Sequence, residues 1–281
     1  MAYVHGKAGA GTYHKGDRLM LRALVPLLTL GILTYSVFRS GIRTINLVSA
    51  AAGGIAVVLG FWCVREVLSL EAAADRYYGG AGGEYDVGAV LSRLPQEFHL
   101  FNDVGFYAGD VDHIVVGPTG VFVVETKNHS GTISLKDGCL CRNGKLLDRD
   151  FVHQATAEAM YVKGLLNPQV QCHVRPLVVF TRAKVRVLTA VGGVRIVALS
   201  SLIDTIVSRE PSLSPEDVGQ YAGRLEGLGI SSTSRGAREP RVALRISHGT
   251  WPVGVAHPGS VRIAWRRCSA HRATLRRLEK S

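Results

Sequence analysis

Two long apolar stretches dominate the first quarter of the chain. The first runs from about residue 19 to residue 38 with Arg22 as its only charge, and the second runs from residue 44 to residue 64 with no charge. Each is close to the ~20 residues that a helix needs to cross ~30 Å of hydrocarbon. Because only residues 39–43 separate them, we predict a two-helix transmembrane hairpin at residues 19–64.

Two other interpretations of these stretches are open. The first stretch has the basic start and apolar core of a signal peptide, but a second long apolar stretch follows it. Both could instead be buried helices of a soluble protein, although such helices usually carry a polar stripe and residues 44–64 show none. Basic residues are more frequent outside the hairpin than in its turn, so the positive-inside rule favours a multi-pass protein of the cell membrane with its globular domain in the cytoplasm.

The polar and apolar pattern divides the rest of the chain into segments. Residues 1–18 are basic and Gly-rich, and we expect them to be poorly ordered. Residues 65–80 predict a juxtamembrane helix, which the glycines of residues 79–83 should break to form a hinge. A globular domain is predicted at residues 81–230, and residues 231–281 form a basic tail that we expect to be flexible.

Helical and strand periods alternate within residues 81–230. Apolar positions predict helices at residues 84–94, 151–166, 200–208 and 215–228, and strands at 99–104, 114–116, 121–124, 131–135, 174–180 and 194–199. This order predicts an α/β fold in which helices flank a mixed central sheet.

Charge and cysteine content add two expectations. The net charge is +11, and the last fifty residues hold eleven Arg or Lys against two acids. Such a tail could bind nucleic-acid phosphates, lie on anionic lipid, or remain solvated without a partner. The five cysteines show no paired framework, so we expect reduced thiols.

The most informative stretch is residues 110–128, which predicts two strands joined by a four-residue turn. In that register Val116 faces Val121 and Asp112 faces Glu125, and Lys127 shares the face of Glu125. Facing carboxylates repel unless a cation lies between them, and oxygen ligands at this spacing suit Mg²⁺. A surface hairpin with solvated ion pairs would satisfy the same spacing.

This stretch resembles the nuclease-related domain (NERD) family of the restriction-endonuclease-like PD-(D/E)xK superfamily. Asp112 followed by Glu125-Thr126-Lys127 matches the D…(D/E)xK signature, and the wider similarity covers about residues 80–210. The resemblance implies a restriction-endonuclease-like sheet and a metal site for Mg²⁺ or Mn²⁺ formed by Asp112, Glu125 and Glu84. It also implies catalytic roles for these acids, for Lys127 and for Gln154. A carboxylate in the first turn of a helix, where the helix dipole stabilises it, would also explain Glu84.

Two functions are consistent with these features. The first is a membrane-anchored, metal-dependent nuclease that hydrolyses phosphodiester bonds in nucleic acid, for which we favour DNA over RNA, with membrane lipid as a second partner. The alternative is a catalytically silent scaffold with a nuclease fold, which would recruit nucleic acid or protein to the membrane. No nucleotide-motor, dinucleotide-binding or serine-hydrolase motif is present in the sequence.

Overall fold

The computed structural model of the protein describes residues 1–40, 47–106, 109–166 and 174–228. The predicted basic tail, residues 231–281, lies outside the described residues. The described part divides into two compact units. One is Ala10–Ala81, and the other combines Met1–Gly9 with the chain from Gly82 onward.

Two long helices make up the first unit. Helix α1 spans Ala10–Ser40, and helix α2 begins in this unit and spans Leu47–Leu91. They run antiparallel, because the Tyr78 hydroxyl donates a 3.0 Å hydrogen bond to Asp17, while further along a Cβ at Gly60 would lie 3.6 Å from Leu30. The two helices therefore pair as a hairpin would.

Both helices are long and apolar enough to cross a membrane, over Ala10–Ser36 and Gly53–Leu91. Large apolar side chains are exposed along both of them, among them Leu21, Val25, Leu28, Ile32, Val57, Val58 and Phe61. Helices in the core of a soluble protein would bury such side chains. The structure thus contains the two long apolar helices that the sequence predicts.

The second unit is built on a mixed eight-stranded sheet. Its strands are β1 (Tyr3–His5), β2 (His99–Phe106), β3 (Gly109–Gly117), β4 (Gly120–Lys136), β5 (Cys139–Arg142), β6 (Lys145–Leu146), β7 (Val174–Val185) and β8 (Arg195–Ala198). The path runs β1-β2-β3-β4-β5-β6, with β7 pairing with the other edge of β4 and β8 with β7. β1–β2, β4–β7 and β7–β8 are parallel and the other pairs are antiparallel.

Helices cover both faces of this sheet. Helices α3 (Phe151–Leu166) and α5 (Pro215–Gly227) pack against the face that contains Val116, Val121 and Val123. The last turns of α2 and helix α4 (Leu202–Val207) pack against the opposite face, which contains Val115, Phe122 and Val124. Apolar residues on both sides of β3 and β4 therefore reflect a sheet buried on two faces, and the predicted α/β class is confirmed.

The predicted register of the β3–β4 hairpin is confirmed. Val116 pairs with Val121 and His113 with Val124 across the turn. Gly120 closes the turn with a φ of 125°, a conformation that favours glycine. Because side chains alternate along a strand, this register places Asp112, Glu125 and Lys127 on the α3 face.

The prediction that residues 1–18 are poorly ordered is wrong. β1 pairs in parallel with β2, and α1 already begins at Ala10. Backbone hydrogen bonds fix the segment, since the Ala2 N–H donates to the Ser92 carbonyl at 3.2 Å and the Tyr3 N–H donates to the Phe98 carbonyl at 2.9 Å. The strand thereby pairs an edge of β2 that would otherwise expose unpaired backbone groups.

The predicted helix break at residues 79–83 is also wrong, because α2 continues through these residues to Leu91. Glycine costs about 1 kcal/mol relative to alanine inside a helix, but close packing can compensate. A Cβ at Gly83 would lie 2.8 Å from Asn128, and one at Gly88 would lie 2.7 Å from Ala8. Small residues therefore let this helix approach its neighbours closely. The boundary between the two compact units still falls between Ala81 and Gly82, inside the predicted hinge.

The expectation of five reduced cysteines is wrong at Cys139, which is disulfide-bonded. Cys63 and Cys141 are free thiols. Disulfides persist mainly in oxidising compartments. Cysteine usage therefore does not support the predicted cytoplasmic setting of the globular unit.

Candidate active site

The β3–β4 hairpin carries three of the predicted site residues, Asp112, Glu125 and Lys127, on one face of the sheet. Asp112 lies one position beyond the last paired residues of the ladder, opposite Glu125. Its Oδ2 accepts a 2.6 Å hydrogen bond from the backbone N–H of Thr126. This bond ties the carboxylate of one strand to the backbone of the other, so the hairpin itself determines the position of Asp112.

Glu125, Lys127 and Gln154 form a connected polar cluster. Lys127 Nζ forms an ion pair with Glu125 Oε1, and the same oxygen accepts a 2.7 Å hydrogen bond from Gln154 Nε2. Lys127 also donates to Gln154 Oε1 at 3.3 Å. Each of the three side chains thus contacts the other two.

The start of helix α3 fixes Gln154. Asp150 precedes the helix, and its Oδ1 accepts a 3.0 Å hydrogen bond from the backbone N–H of His153, as a helix-capping carboxylate does. Phe151, in the same turn, places its ring 4.6 Å from Lys127 Nζ. This cation–π contact and the Glu125 ion pair together orient the ammonium group.

Glu84 reaches the same region from helix α2. It is only 8% exposed, and its neighbour Gly83 packs against Asn128 on β4, one residue beyond Lys127. Since α2 continues through residues 79–83, Glu84 does not lie in a first helical turn. The helix dipole at an N-terminus therefore does not explain this buried carboxylate.

All five predicted site residues fall inside a segment with known relatives. Residues 79–181 match the sequence model of the nuclease-related domain family. This segment is a nuclease-related domain. Domains of this family are PD-(D/E)xK-like, so the suspected resemblance is confirmed.

Other comparisons add little about the whole chain. An uncharacterized protein of Bacillus anthracis is 47% identical over 60 residues, which cover 19% of this chain and 28% of the relative. The chain thus spans little more than a quarter of that relative's length. No solved structure matches the chain.

The electrostatics of the nuclease-related domain are those of crowded acids. Burial raises the pKa of Asp112 well above its ordinary value, and the charges of Glu125 and Glu84 raise it further. The Lys127 ammonium and the Thr126 N–H act in the opposite direction without cancelling the increase. A cation placed among these acids would favour their ionised forms.

A further acid of the domain, Glu158, was missed by the sequence reasoning. It is 3% exposed, and its Oε1 accepts a 3.0 Å hydrogen bond from Gln154 Nε2. Burial and then the Glu125 charge raise the pKa of Glu158 to about 9. The signal was present in the sequence, because a glutamate falls on the apolar stripe of a helix whose buried neighbours include Ala155, Ala159 and Val162.

The donor set suits a hard divalent cation. Glu125 is 2% exposed, and within the described residues its Oε2 has no hydrogen-bond partner. An unpartnered carboxylate oxygen beside other acids is the kind of ligand that Mg²⁺ or Mn²⁺ takes, usually with one or two carboxylates and several waters. In the described part of the chain, the predicted metal ligands Glu84, Asp112 and Glu125 do not form a group whose ligand atoms all lie within 4.8 Å of one another.

Proposed function

We propose that this protein is a membrane-anchored, metal-dependent nuclease that hydrolyses phosphodiester bonds in nucleic acid. The observation that carries the proposal is the buried Glu125 carboxylate, with Lys127 and Gln154 on one oxygen and no partner for the other among the described residues. Stability alone gives no reason to bury a carboxylate in this way, because an unsatisfied charged oxygen costs free energy. Sites of this kind cluster where chemistry takes place.

Each side chain has a role that its position supports. Asp112 and Glu125 would hold Mg²⁺ or Mn²⁺, with Glu84 adding negative charge to the same pocket. When bound, such an ion neutralises charge at the scissile phosphate and lowers the pKa of an attacking water. Lys127 would position that water and stabilise the developing charge, and Gln154 would orient Lys127 and the substrate.

The two apolar helices would anchor this activity at the cell membrane. Their exposed apolar side chains support the transmembrane hairpin, and the charge distribution supports a cytoplasmic globular domain. We further propose DNA, in preference to RNA, as the nucleic acid.

The decisive test is cleavage by the full chain in lipid nanodiscs. Labelled DNA and RNA would be incubated with Mg²⁺ or Mn²⁺ and wild-type protein, the Lys127→Ala variant, or the Lys136→Ala variant. Lys136 lies exposed on the same strand and serves as the matched control. We expect Lys127→Ala to lower the cleavage rate about 10²- to 10³-fold. Cleavage that persists unchanged in Lys127→Ala would mean that this pocket is not its source.

The catalytically silent scaffold is favoured by one observation. Lys127 and Gln154 already satisfy one Glu125 oxygen, and ion-paired acids can be purely structural. Calorimetric titration with Mn²⁺ separates the two functions, with Glu125→Gln compared with Glu97→Gln at an exposed position. The nuclease requires that Glu125→Gln alone weakens binding, whereas equal binding by both variants and the wild type supports the scaffold.

A further inference from the structure

A second cluster of ligating side chains lies at the edge of the sheet, in residues that the nuclease proposal does not use. His5 comes from β1, His99 from β2 and Glu226 from the last turn of α5. One ligand atom from each of the three lies within 4.8 Å of the other two. The cluster therefore connects three elements that are distant in sequence.

Two of the three distances in the cluster are close to those between ligands of one bound metal ion. His5 Nε2 lies 3.5 Å from His99 Nδ1 and 3.4 Å from Glu226 Oε1. Ligand atoms bound to tetrahedral Zn²⁺ at about 2.0–2.1 Å lie about 3.3–3.4 Å from one another. The side chains thus already stand close to the spacing that such an ion would impose.

Aromatic stacking holds the two imidazoles in place. The His5 ring is stacked on His99, with centroids 5.7 Å apart and planes 10° apart, and on Phe101 with centroids 4.4 Å apart. Tyr3 stacks on His99 with a centroid separation of 5.1 Å. Because these ring contacts limit rotation, the two nitrogens stay near each other. Ligands oriented before binding lose less entropy when they bind.

The location favours a cation. Glu226 is the second-last residue of α5, where the helix dipole places partial negative charge. Its side chain is 49% exposed and that of His5 is 28% exposed, so an ion and a water ligand have access from solvent. Two histidines and one glutamate with an open fourth position are a donor set of known zinc sites.

We propose that His5, His99 and Glu226 form a Zn²⁺ site that fastens the N-terminal strand to helix α5. Imidazole nitrogens suit Zn²⁺, whereas Mg²⁺ prefers an all-oxygen set. The site is therefore distinct in ion preference from the pocket of Asp112 and Glu125. Zinc binding would stabilise the folded unit by linkage, since the three ligands converge only in that state.

The test is zinc binding by the full chain, purified in detergent without a polyhistidine tag and freed of metal. Zn²⁺ would be titrated against a chromophoric chelator, and unfolding temperature would be recorded across a series of Zn²⁺ concentrations. The His5→Gln, His99→Gln and Glu226→Gln variants would be compared with His14→Gln and Glu216→Gln, which change exposed residues outside the cluster. We expect one tight site in wild type and in both controls, and at least a tenfold weaker site in each ligand variant.

Two further readouts keep the outcome clear if a variant folds poorly. Co²⁺ bound to the wild-type chain should give the intense visible bands of a tetrahedral site, and excess Mg²⁺ should not remove them. X-ray absorption of the zinc-loaded wild type should show two imidazole ligands. A wild-type chain that binds no Zn²⁺, or that binds it equally well in all five variants, would overturn the proposal. Neither result depends on nuclease activity.

Discussion

The hairpin pocket and the sheet-edge cluster differ in how their ligands are brought together. Asp112 and Glu125 lie on adjacent strands of a single hairpin, and Glu125 is 2% exposed. His5 and His99 are 94 residues apart, and Glu226 comes from a third element with a side chain that is 49% exposed. The pocket is thus assembled by a local strand pair, whereas the edge cluster exists only after distant parts of the chain have joined.

This difference separates two kinds of proposed metal site on one sheet. The buried, oxygen-rich pocket holds several carboxylates close together, and their repulsion destabilises the pocket when no cation is bound. Such a pocket suits catalysis. The partly exposed nitrogen-rich cluster contains few like charges and connects structural elements, which suits a role in stability. Changes in the pocket should consequently alter activity, and changes around the edge should alter the free energy of unfolding.

The largest expected effect is that of Asp112→Asn. The variant should lower the cleavage rate by about 100-fold or more, because it removes one of the two carboxylates proposed to hold the metal ion at the reacting phosphate. Its stability should not fall, since the amide oxygen can still accept the Thr126 N–H and repulsion from Glu125 is relieved. Initial rates with Mg²⁺ and thermal unfolding would be measured beside Asp86→Asn, an exposed control on α2. Loss of stability together with activity would contradict the distinction between the two regions.

Glu158 allows a finer test of the pocket, because it supports Gln154 and has no assigned contact with substrate. Glu158→Ala removes the acceptor that holds Gln154 Nε2, and we expect activity to fall about 10- to 100-fold. Glu158→Gln keeps an oxygen acceptor and should retain most of the rate. The comparison would be made from kcat and KM over a pH series. Equal losses in both variants would indicate that Glu158 acts through its carboxyl group and not by accepting the Gln154 hydrogen bond.

What could be predicted from the sequence follows the same division. The hairpin register and the shared face of Asp112, Glu125 and Lys127 depend on alternation over a few residues, so the sequence alone predicts them. The continuity of α2 and the order of β1 depend on close approaches at Gly83 and Gly88, which no local pattern reveals. The edge cluster was missed for the same reason. Glu158 is different, because a glutamate on the apolar stripe of a helix is a local pattern that the sequence itself displays.

Two glycines of α2 offer a matched pair of substitutions that tests the packing of the N-terminal segment around β1. Gly88→Ala would bring a Cβ to 2.7 Å from Ala8, in the segment that follows β1, and should destabilise the protein by about 1–3 kcal/mol. Gly82→Ala meets nothing within 4 Å and should stabilise the helix by about 0.5–1 kcal/mol. Chemical denaturation would measure both. A destabilising Gly82→Ala would indicate that residues 79–83 form a hinge and not a helix.

The smallest expected effect concerns His113, which links the β3–β4 hairpin through Asn102 to the N-terminal segment at Gly6. It is fully buried, its Nδ1 lies 2.7 Å from Asn102 Oδ1, and Asn102 Nδ2 donates to the Gly6 carbonyl at 3.4 Å. Burial lowers the pKa of His113 to about 3, so the folded state holds it neutral. Its ordinary value in the unfolded chain is about 6.5, which means that the unfolded state binds the proton first as pH falls.

The stability that depends on neutral His113 should therefore be complete above about pH 6.5 and decline progressively toward pH 3. Between pH 7 and pH 6 the decline should be less than about 1 kcal/mol. Relative to wild type, His113→Gln should have a flatter dependence of unfolding free energy on pH in this window, whatever its absolute stability. His153→Gln, at an exposed position of α3, should keep the wild-type slope. Identical slopes in all three proteins would mean that His113 can take up a proton without unfolding, and that the link between Asn102 and Gly6 tolerates a charged imidazole.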